Sequence, residues 1–242
     1  MKAFAIGLLI LTFSSVSLSQ DGSETEAKRI WNLVIDAKGG RSVLETIRSI
    51  HMTNDGVLKG NGLLVPPDKL WNWEDYGPGV FGNIMQMYNI SGEKSYMAQN
   101  GVRYTVLRDY TDHHDFQGMQ ANLSWILLDT KGISPVPEFL LREPHLLVVS
   151  TTVNGIRVDY AVDPKTYLLK EMRQYFKSDN GTQELGHTTR FYDWARVQGI
   201  MVPLRVDGAK WTYEFNVAYN PEIFERVPRP DEFRNDWWSK KN

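Results

Sequence analysis

The sequence predicts a single α+β domain built mainly on an antiparallel sheet, and three observations support this fold class. Large apolar or aromatic residues alternate with small or polar ones from Trp211 to Tyr219, which is typical of a strand with one face against an apolar interior. Two helical patterns lie between Asp21 and Ser49, ahead of the first predicted strand. No linker rich in Gly, Ser or Pro divides the chain, so we expect one domain.

The N-terminus has the pattern of a secretory signal peptide. The positively charged Met1-Lys2 precedes the apolar run Ala3–Phe13, and small residues continue to Ser19. This apolar run is short for a membrane span. We therefore expect residues 1–19 to be cleaved and residues 20–242 to form the mature domain, located in the periplasm or secreted.

The composition excludes several classes of protein. The 242 residues are 42% hydrophobic and 23% charged, which is typical of a globular chain. A net charge of −2 without a long basic run argues against nucleic acid as a partner. The chain has no cysteine, so neither a disulfide nor a lipid-accepting cysteine is expected, and stability must come from core burial.

The helices and strands are predicted in chain order. Helices are expected at Thr25–Ala37, stopped by Gly39-Gly40, and at Ser42–Ile50. The strands of the first half are predicted at Ile50–Leu58, Leu63–Tyr76, Phe81–Ile90, Glu93–Asn100 and Val102–Leu107. Gly60-Asn-Gly62 and Pro66-Pro67 are predicted to interrupt the first two of these segments. A helical insertion near residues 112–143 is predicted to contain Met119–Leu128 and a short helix at Phe139–Leu141, and it is a candidate to lie across the mouth of a curved sheet. The closing meander, which begins at about His145, is predicted to contain Ile156–Val162, Leu168–Lys177, His187–Trp194, Ile200–Val206 and Trp211–Tyr219.

Few residue groups have the pattern of a catalytic site. The cluster Asp112-His113-His114-Asp115 contains residue types used in metal binding and acid–base catalysis, but we interpret it as a polar loop or a helix N-terminus with Asp112 as cap. The pair Glu74-Asp75 is a candidate for glycoside hydrolysis. There is no Gly-x-Ser-x-Gly elbow and no dinucleotide-binding loop. The sequence thus predicts no catalytic residues, no metal and no cofactor.

Aromatic residues on the predicted sheet are the candidate ligand-binding residues. Trp71 and Trp73 share one face of their strand, with Asn72 and Glu74 on the other. Core packing, an acyl chain held on a concave sheet and sugar stacking are all compatible with these rings. We predict that a hydrophobic cavity is lined by Trp71, Trp73, Trp211, Tyr213 and Phe215.

Four motifs lie toward the two ends of the mature chain. They are the Gly-Gly break and Leu/Ile-rich helix within Ala37–Ile50, the Asp-Pro-Lys-Thr turn of Val162–Thr166, Gly199–Pro203, and Asn220–Phe224 followed by Pro228. Together they resemble the superfamily of outer-membrane lipoprotein-sorting carriers. The resemblance implies a curved, half-open antiparallel sheet, an incomplete barrel with helices covering its concave face. It also implies that the protein holds acyl chains in an apolar hollow without catalysis.

Our hypothesis is an exported carrier or binding protein of the cell envelope that performs no chemistry. The expected partner is a hydrophobic small molecule or an acyl chain, which an envelope lipoprotein could present, and stable membrane insertion is not expected. Two alternatives remain open. One is a secreted hydrolase using Glu74, Asp75 or the Asp112–Asp115 cluster, and the other is a non-catalytic interaction module of the envelope.

Overall fold

A computed structural model describes residues 20–56, 59–77, 82–100, 104–109, 114–128, 139–153, 155–178 and 181–239. The predicted signal peptide, residues 1–19, lies outside the described residues, and so do Asp112 and His113 of the Asp112–Asp115 cluster. In the described chain, no helix combines the length and apolar character needed to cross a membrane.

Thirteen antiparallel strands form one continuous sheet in the described chain. They are β1 (Ile50–Asn54), β2 (Lys59–Val65), β3 (Lys69–Asp75), β4 (Asn83–Asn89), β5 (Lys94–Asn100), β6 (Tyr104–Asp109), β7 (Phe139–Glu143), β8 (Leu146–Val153), β9 (Ile156–Val162), β10 (Leu169–Lys177), β11 (Gln183–Val197), β12 (Ile200–Val206) and β13 (Ala209–Phe215). Their order is β6-β5-β4-β3-β2-β1-β13-β12-β11-β10-β9-β8-β7. The first and last strands therefore meet at the centre, and the sheet is not closed into a barrel because β6 and β7 are its two edges.

Within the described ranges, three α-helices and one 3-10 helix accompany the sheet. They are α1 (Gln20–Lys38), α2 (Arg41–Leu44), α3 (His114–Leu127) and the 3-10 helix Pro221–Phe224. Gly39 and Gly40 end α1 with φ angles of 132° and 88°, which glycine adopts at little cost. A Cβ on Gly39 would lie 2.8 Å from the main-chain oxygen of Gly199. The predicted Gly-Gly stop is thus also a point of close approach between α1 and the sheet.

Two apolar clusters lie on opposite faces of the sheet. The helix-face cluster joins α1, α2 and α3 to one face, and it includes Trp31, Leu44, Trp125, Tyr160, Phe191 and Phe215. The tail-face cluster joins the other face of β2–β5 to the C-terminal segment, residues 216–239, and it includes Trp71, Trp73, Met85, Tyr96, Phe224, Phe233 and Trp237. Each face of β2–β5 therefore has its own cover.

The structure confirms the strand interruption predicted at Pro66-Pro67 and corrects the one predicted at Gly60–Gly62. Pro66 and Pro67 form the turn between β2 and β3, as expected for residues that lack an N–H for the ladder. Gly60 and Gly62 do not interrupt the sheet, because both lie inside β2 and pair with Glu74 and Asn72 of β3.

The structure also corrects the short helix predicted at Phe139–Leu141. These residues begin β7, where Leu140 pairs with Val149 and Leu141 with Val148 of β8. Three apolar residues in a row are compatible with either a helix or a strand. Here the hydrogen-bonded pairing with the apolar strand β8 stabilises the strand.

The aromatic strand predicted at Trp211–Tyr219 is shorter in the structure and ends at Phe215. Asn216 has a φ of 59°, and its side chain accepts a hydrogen bond from the Arg48 main-chain nitrogen at 2.7 Å. This left-handed residue breaks the alternation. Val217 and Tyr219 consequently pack against the tail-face cluster and not beside Phe215.

Candidate ligand-binding cavity

A cavity of about 290 Å³ lies on the helix face of the sheet, among residues of β13, β1, β2 and β3 and beside Leu123 of α3. Its lining combines apolar side chains with amides and one carboxylate. The lining residues are Met52, Asn54, Gly60, Asn61, Gly62, Leu70, Asn72, Glu74, Leu123 and Trp211. This cavity is the candidate functional site.

The hollow exists because two successive helix-facing positions of β2 are glycines. Gly62 pairs with Met52 of β1 and with Asn72 of β3, and Gly60 pairs with Asn54 and Glu74. Residues paired across neighbouring strands face the same side of a sheet. Without side chains at positions 60 and 62, the neighbouring strands form walls and β2 forms the floor.

Glu74 is the one charged residue among the described lining residues, and its carboxylate is held by two neighbours. Asn72 donates its Nδ2 hydrogen to Oε1 at 3.0 Å, and the Tyr76 hydroxyl donates to Oε2 at 2.7 Å. The hydrogen bond to Glu74, together with partial burial, raises the pKa of Tyr76 to about 12. Tyr76 therefore keeps its proton at neutral pH and remains a donor.

Trp211 forms the aromatic wall of the cavity. Its ring stacks on Tyr213 at a centroid distance of 6.3 Å and an interplanar angle of 20°. Within the described structure, the Trp211 Nε1 and the Tyr213 hydroxyl are buried without a hydrogen-bond partner. Burial raises the pKa of the Tyr213 phenol well above its ordinary value. Both rings thus present polar hydrogens inside an apolar layer.

The structure divides the predicted ligand-binding residues between the two faces. Trp211, Tyr213 and Phe215 are on the helix face, where Trp211 lines the cavity and Phe215 is part of the core. Trp71 and Trp73 are buried on the opposite face, and the Trp73 ring lies 5.0 Å from Phe233. This corrects the expectation of one shared hollow, because the cross-strand pairing aligns Asn72, not Trp71 or Trp73, with Met52 and Tyr213.

The sequence pattern does not assign several of the lining residues to a cavity. Gly60 and Gly62 looked like a strand break, and Asn72 was noted only as the polar side of a Trp-rich strand. Leu123 was expected in a helix but not assigned to the cavity. Two glycines at positions i and i+2 of one strand are the local signal that points to a hollow.

The two carboxylates of the proposed hydrolase pair Glu74-Asp75 do not share one site. Glu74 points into the cavity, whereas Asp75 is exposed on the next position of β3, where its Oδ1 accepts a hydrogen bond from Gly77. In the ranges that the structure describes, no group of three His, Asp or Glu residues could hold a metal ion.

Helix α3 is attached to the sheet on both sides of the cavity. The Gln120 side chain donates to the main-chain oxygen of Pro67 at 2.7 Å, and Ser124 bonds to the Tyr160 hydroxyl. Between these two contacts, Leu123 reaches the cavity. Helix α3 thus contributes Leu123 to the cavity lining and is held by these polar contacts as well as by the packing of Trp125.

Lys38, the last residue of α1, is fully buried against the end of α3. Its Nζ donates hydrogen bonds to the main-chain oxygens of Trp125 at 2.5 Å and Ile126 at 2.8 Å. The last carbonyl groups of a helix lack partners within it, and a positive charge there is favourable. Burial nevertheless lowers the pKa of Lys38 to about 7.

We expect Lys38 to make stability rise with pH above neutrality. Below about pH 7 its ammonium is charged in both states, so the folded state bears the full desolvation cost. Between that pH and the ordinary pKa of 10.5, the unfolded chain binds more protons than the folded one. The free energy of unfolding should then increase by ~1.4 kcal/mol per pH unit.

Urea unfolding at about pH 7 and about pH 9 measures this effect. The Lys38→Met variant should lack the increase that the wild type shows, whereas Lys177→Met, at an exposed position, should retain it. If the free energy of unfolding changed equally with pH in the wild type and in Lys38→Met, the lowered pKa of Lys38 would be contradicted.

A second, larger groove of about 860 Å³ lies along β11 and β12. Its two arginines, Arg190 and Arg205, are balanced by Asp193 and Asp207, and Arg205 lies 3.1 Å from Asp193. The groove is open to solvent, and its charged side chains have partners within the groove. It is therefore a weaker candidate for a ligand-binding site than the cavity beside Leu123.

The solved structures that are similar to this chain include two with descriptions that bear on the fold. No protein-family model and no curated protein matches the sequence. An outer membrane lipoprotein-sorting protein domain from Vibrio parahaemolyticus has a TM-score of 0.42 and 10% identity, with 84% of this chain and 96% of that chain covered. A LolA superfamily protein from Nitrosomonas europaea has a TM-score of 0.33 and 13% identity, with 82% and 96% covered. Both neighbours belong to the superfamily that the sequence motifs resemble, but such low TM-scores support no inference about function.

Proposed function

We propose that the protein is an exported carrier or binding protein of the cell envelope, periplasmic or secreted, and that its cavity holds one acyl chain or a similar hydrophobic ligand. The observation that supports this most directly is the hollow between β2 and α3. Its apolar walls are Met52, Leu70, Leu123 and Trp211. Apolar ligand surface buried there contributes about 25 cal/mol per Å².

The size of the cavity favours a single chain. Ligand pockets usually measure about 300–1,000 Å³, and this one is at the lower end with about 290 Å³. A molecule with several acyl chains, such as an envelope lipoprotein, would have to insert one chain at a time or displace α3. In this proposal the helix-bearing face is the concave side of a half-open sheet, and α3 is its cover.

Trp211 is the predicted aromatic residue that this function uses directly. Tyr213 and Phe215 stand behind it on the same strand and the same face, and both are at least nine-tenths buried. We propose that they fix the Trp211 ring rather than contact the ligand along its length. Trp71 and Trp73 instead hold the C-terminal segment in place.

Native mass spectrometry of protein purified without detergent tests the proposal. We expect a one-to-one complex with a single-chain amphiphile. After the bound ligand is stripped by organic extraction, the refolded protein should bind the apolar fluorescent probe N-phenyl-1-naphthylamine with the same stoichiometry. Absence of a copurified ligand together with absence of probe binding would refute the proposal.

A further inference from the structure

The polarity of the cavity changes along the strand direction. Across β13, β1, β2 and β3, three successive rows of paired residues face α3. The inner row is Phe215, Ile50, Leu64 and Leu70; the middle row is Tyr213, Met52, Gly62 and Asn72; the outer row is Trp211, Asn54, Gly60 and Glu74. The inner row is wholly apolar, whereas polar side chains increase toward the outer row.

The outer row has hydrogen-bonding groups directed over the glycine floor. The Asn54 Oδ1 accepts a hydrogen bond from the Gly56 nitrogen, and its Nδ2 lies 2.5 Å from where a Cβ on Gly60 would stand. The Glu74 carboxylate has about four acceptor positions, of which Asn72 and Tyr76 use two. Glu74 therefore retains acceptor capacity for a donor on a ligand.

The charge of the lining sets a preference between head groups. Among the described lining residues there is one carboxylate and no Lys, Arg or His. A carboxylate or phosphate placed in the outer row would meet a like charge in a half-buried site, which is unfavourable. A hydroxyl or an ammonium group would instead donate to Glu74, and a charge-assisted hydrogen bond is stronger than a neutral one.

We propose that the ligand of this cavity is a single-chain amphiphile whose head group donates hydrogen bonds, with its chain toward Leu70 and its head between Asn54 and Glu74. Glu74 selects hydroxyl or ammonium head groups and rejects carboxylate and phosphate. This inference rests on the proposed function, because it assigns the head-group chemistry of the same cavity.

Three ten-carbon amphiphiles test this preference: monodecanoylglycerol, decylamine and decanoate. Each is added below its micelle-forming concentration at about pH 7.5 and scored by displacement of N-phenyl-1-naphthylamine from the wild-type protein. We expect the glycerol ester and the amine to displace the probe at concentrations roughly tenfold lower than decanoate. In Glu74→Gln, decanoate should come within about threefold of the glycerol ester, with each displacement referred to the variant's own affinity for the probe.

Asp75→Asn is the matched control, because it removes the same charge from the adjacent residue, which is exposed outside the cavity lining. In this variant, the three compounds should displace the probe in the same order of effectiveness as in the wild type. If all three displace the probe equally from the wild type, or if Asp75→Asn acts like Glu74→Gln, the head-group preference is wrong and the cavity still binds chains. If the probe does not bind the wild type at all, the proposed function fails first.

Discussion

Replacing Trp71 with alanine is expected to lower the free energy of unfolding by about 3–5 kcal/mol, as for other large aromatic residues in well-packed cores. The Trp71 side chain is fully buried in the tail-face cluster. Its removal leaves a cavity between the sheet and the C-terminal segment, on the side away from α3. We therefore expect the folded fraction of the variant to bind N-phenyl-1-naphthylamine with wild-type affinity.

Urea denaturation measures the loss of stability, and a probe titration at low temperature measures binding by the folded protein. Trp211→Ala is the matched control, because Trp211 is half-buried and lines the cavity. It should lose less stability than Trp71→Ala but more probe affinity. The reverse pattern would show that the ligand lies on the tail face. Should Trp71→Ala fail to fold, Trp71→Phe makes the same comparison with a smaller cavity.

The sequence pattern predicts which residues of a strand share a face, but not what covers that face. On β3 the alternation separates Trp71 and Trp73 from Asn72 and Glu74, and the burial of both indoles confirms this. The side on which the tryptophans lie depends on pairing β1 with β13, which joins residues about 160 positions apart, as in Thr53 with Thr212. No local signal contains that information.

The packing of the C-terminal segment on the tail face could not be predicted from the sequence either. Beyond Asn216 the chain has no regular period, yet Phe224, Phe233 and Trp237 are buried there. Asn89 fixes this segment by donating its side-chain hydrogen to the main-chain oxygen of Phe224 at 3.0 Å. Isolated aromatics in an irregular segment predict burial but not a partner, because burial is non-directional.

The cavity itself is the feature that most depended on the structure. Gly60 and Gly62 weaken a strand in any propensity scale, so the sequence favoured a break at this point. Pairing on both sides keeps the strand intact, with Asn54 and Met52 on one flank and Glu74 and Asn72 on the other. The same absence of side chains that lowers strand propensity opens the space below α3.

Filling that space with Gly62→Leu is expected to abolish ligand binding without loss of stability. A Cβ at position 62 would meet the Asn72 Oδ1 and the Met52 Cε at 3.7 Å, which is ordinary contact, so the backbone tolerates a side chain. The remaining leucine carbons would occupy the cavity. Probe affinity should fall at least tenfold, roughly 1.4 kcal/mol or more, and unfolding should become harder by about 0.5–1 kcal/mol because a strand glycine is removed.

Two further variants separate filling from general disturbance of the sheet. Gly62→Ala adds one carbon and should lower the affinity only partly, so that binding follows the added volume. Thr53→Leu adds bulk to β1 on the opposite face, where Thr53 pairs with Asn61 and Thr212, and should leave binding unchanged. If a folded Gly62→Leu protein bound the probe with wild-type affinity, the ligand would bind elsewhere. The cavity between β2 and α3 would then be excluded as the functional site.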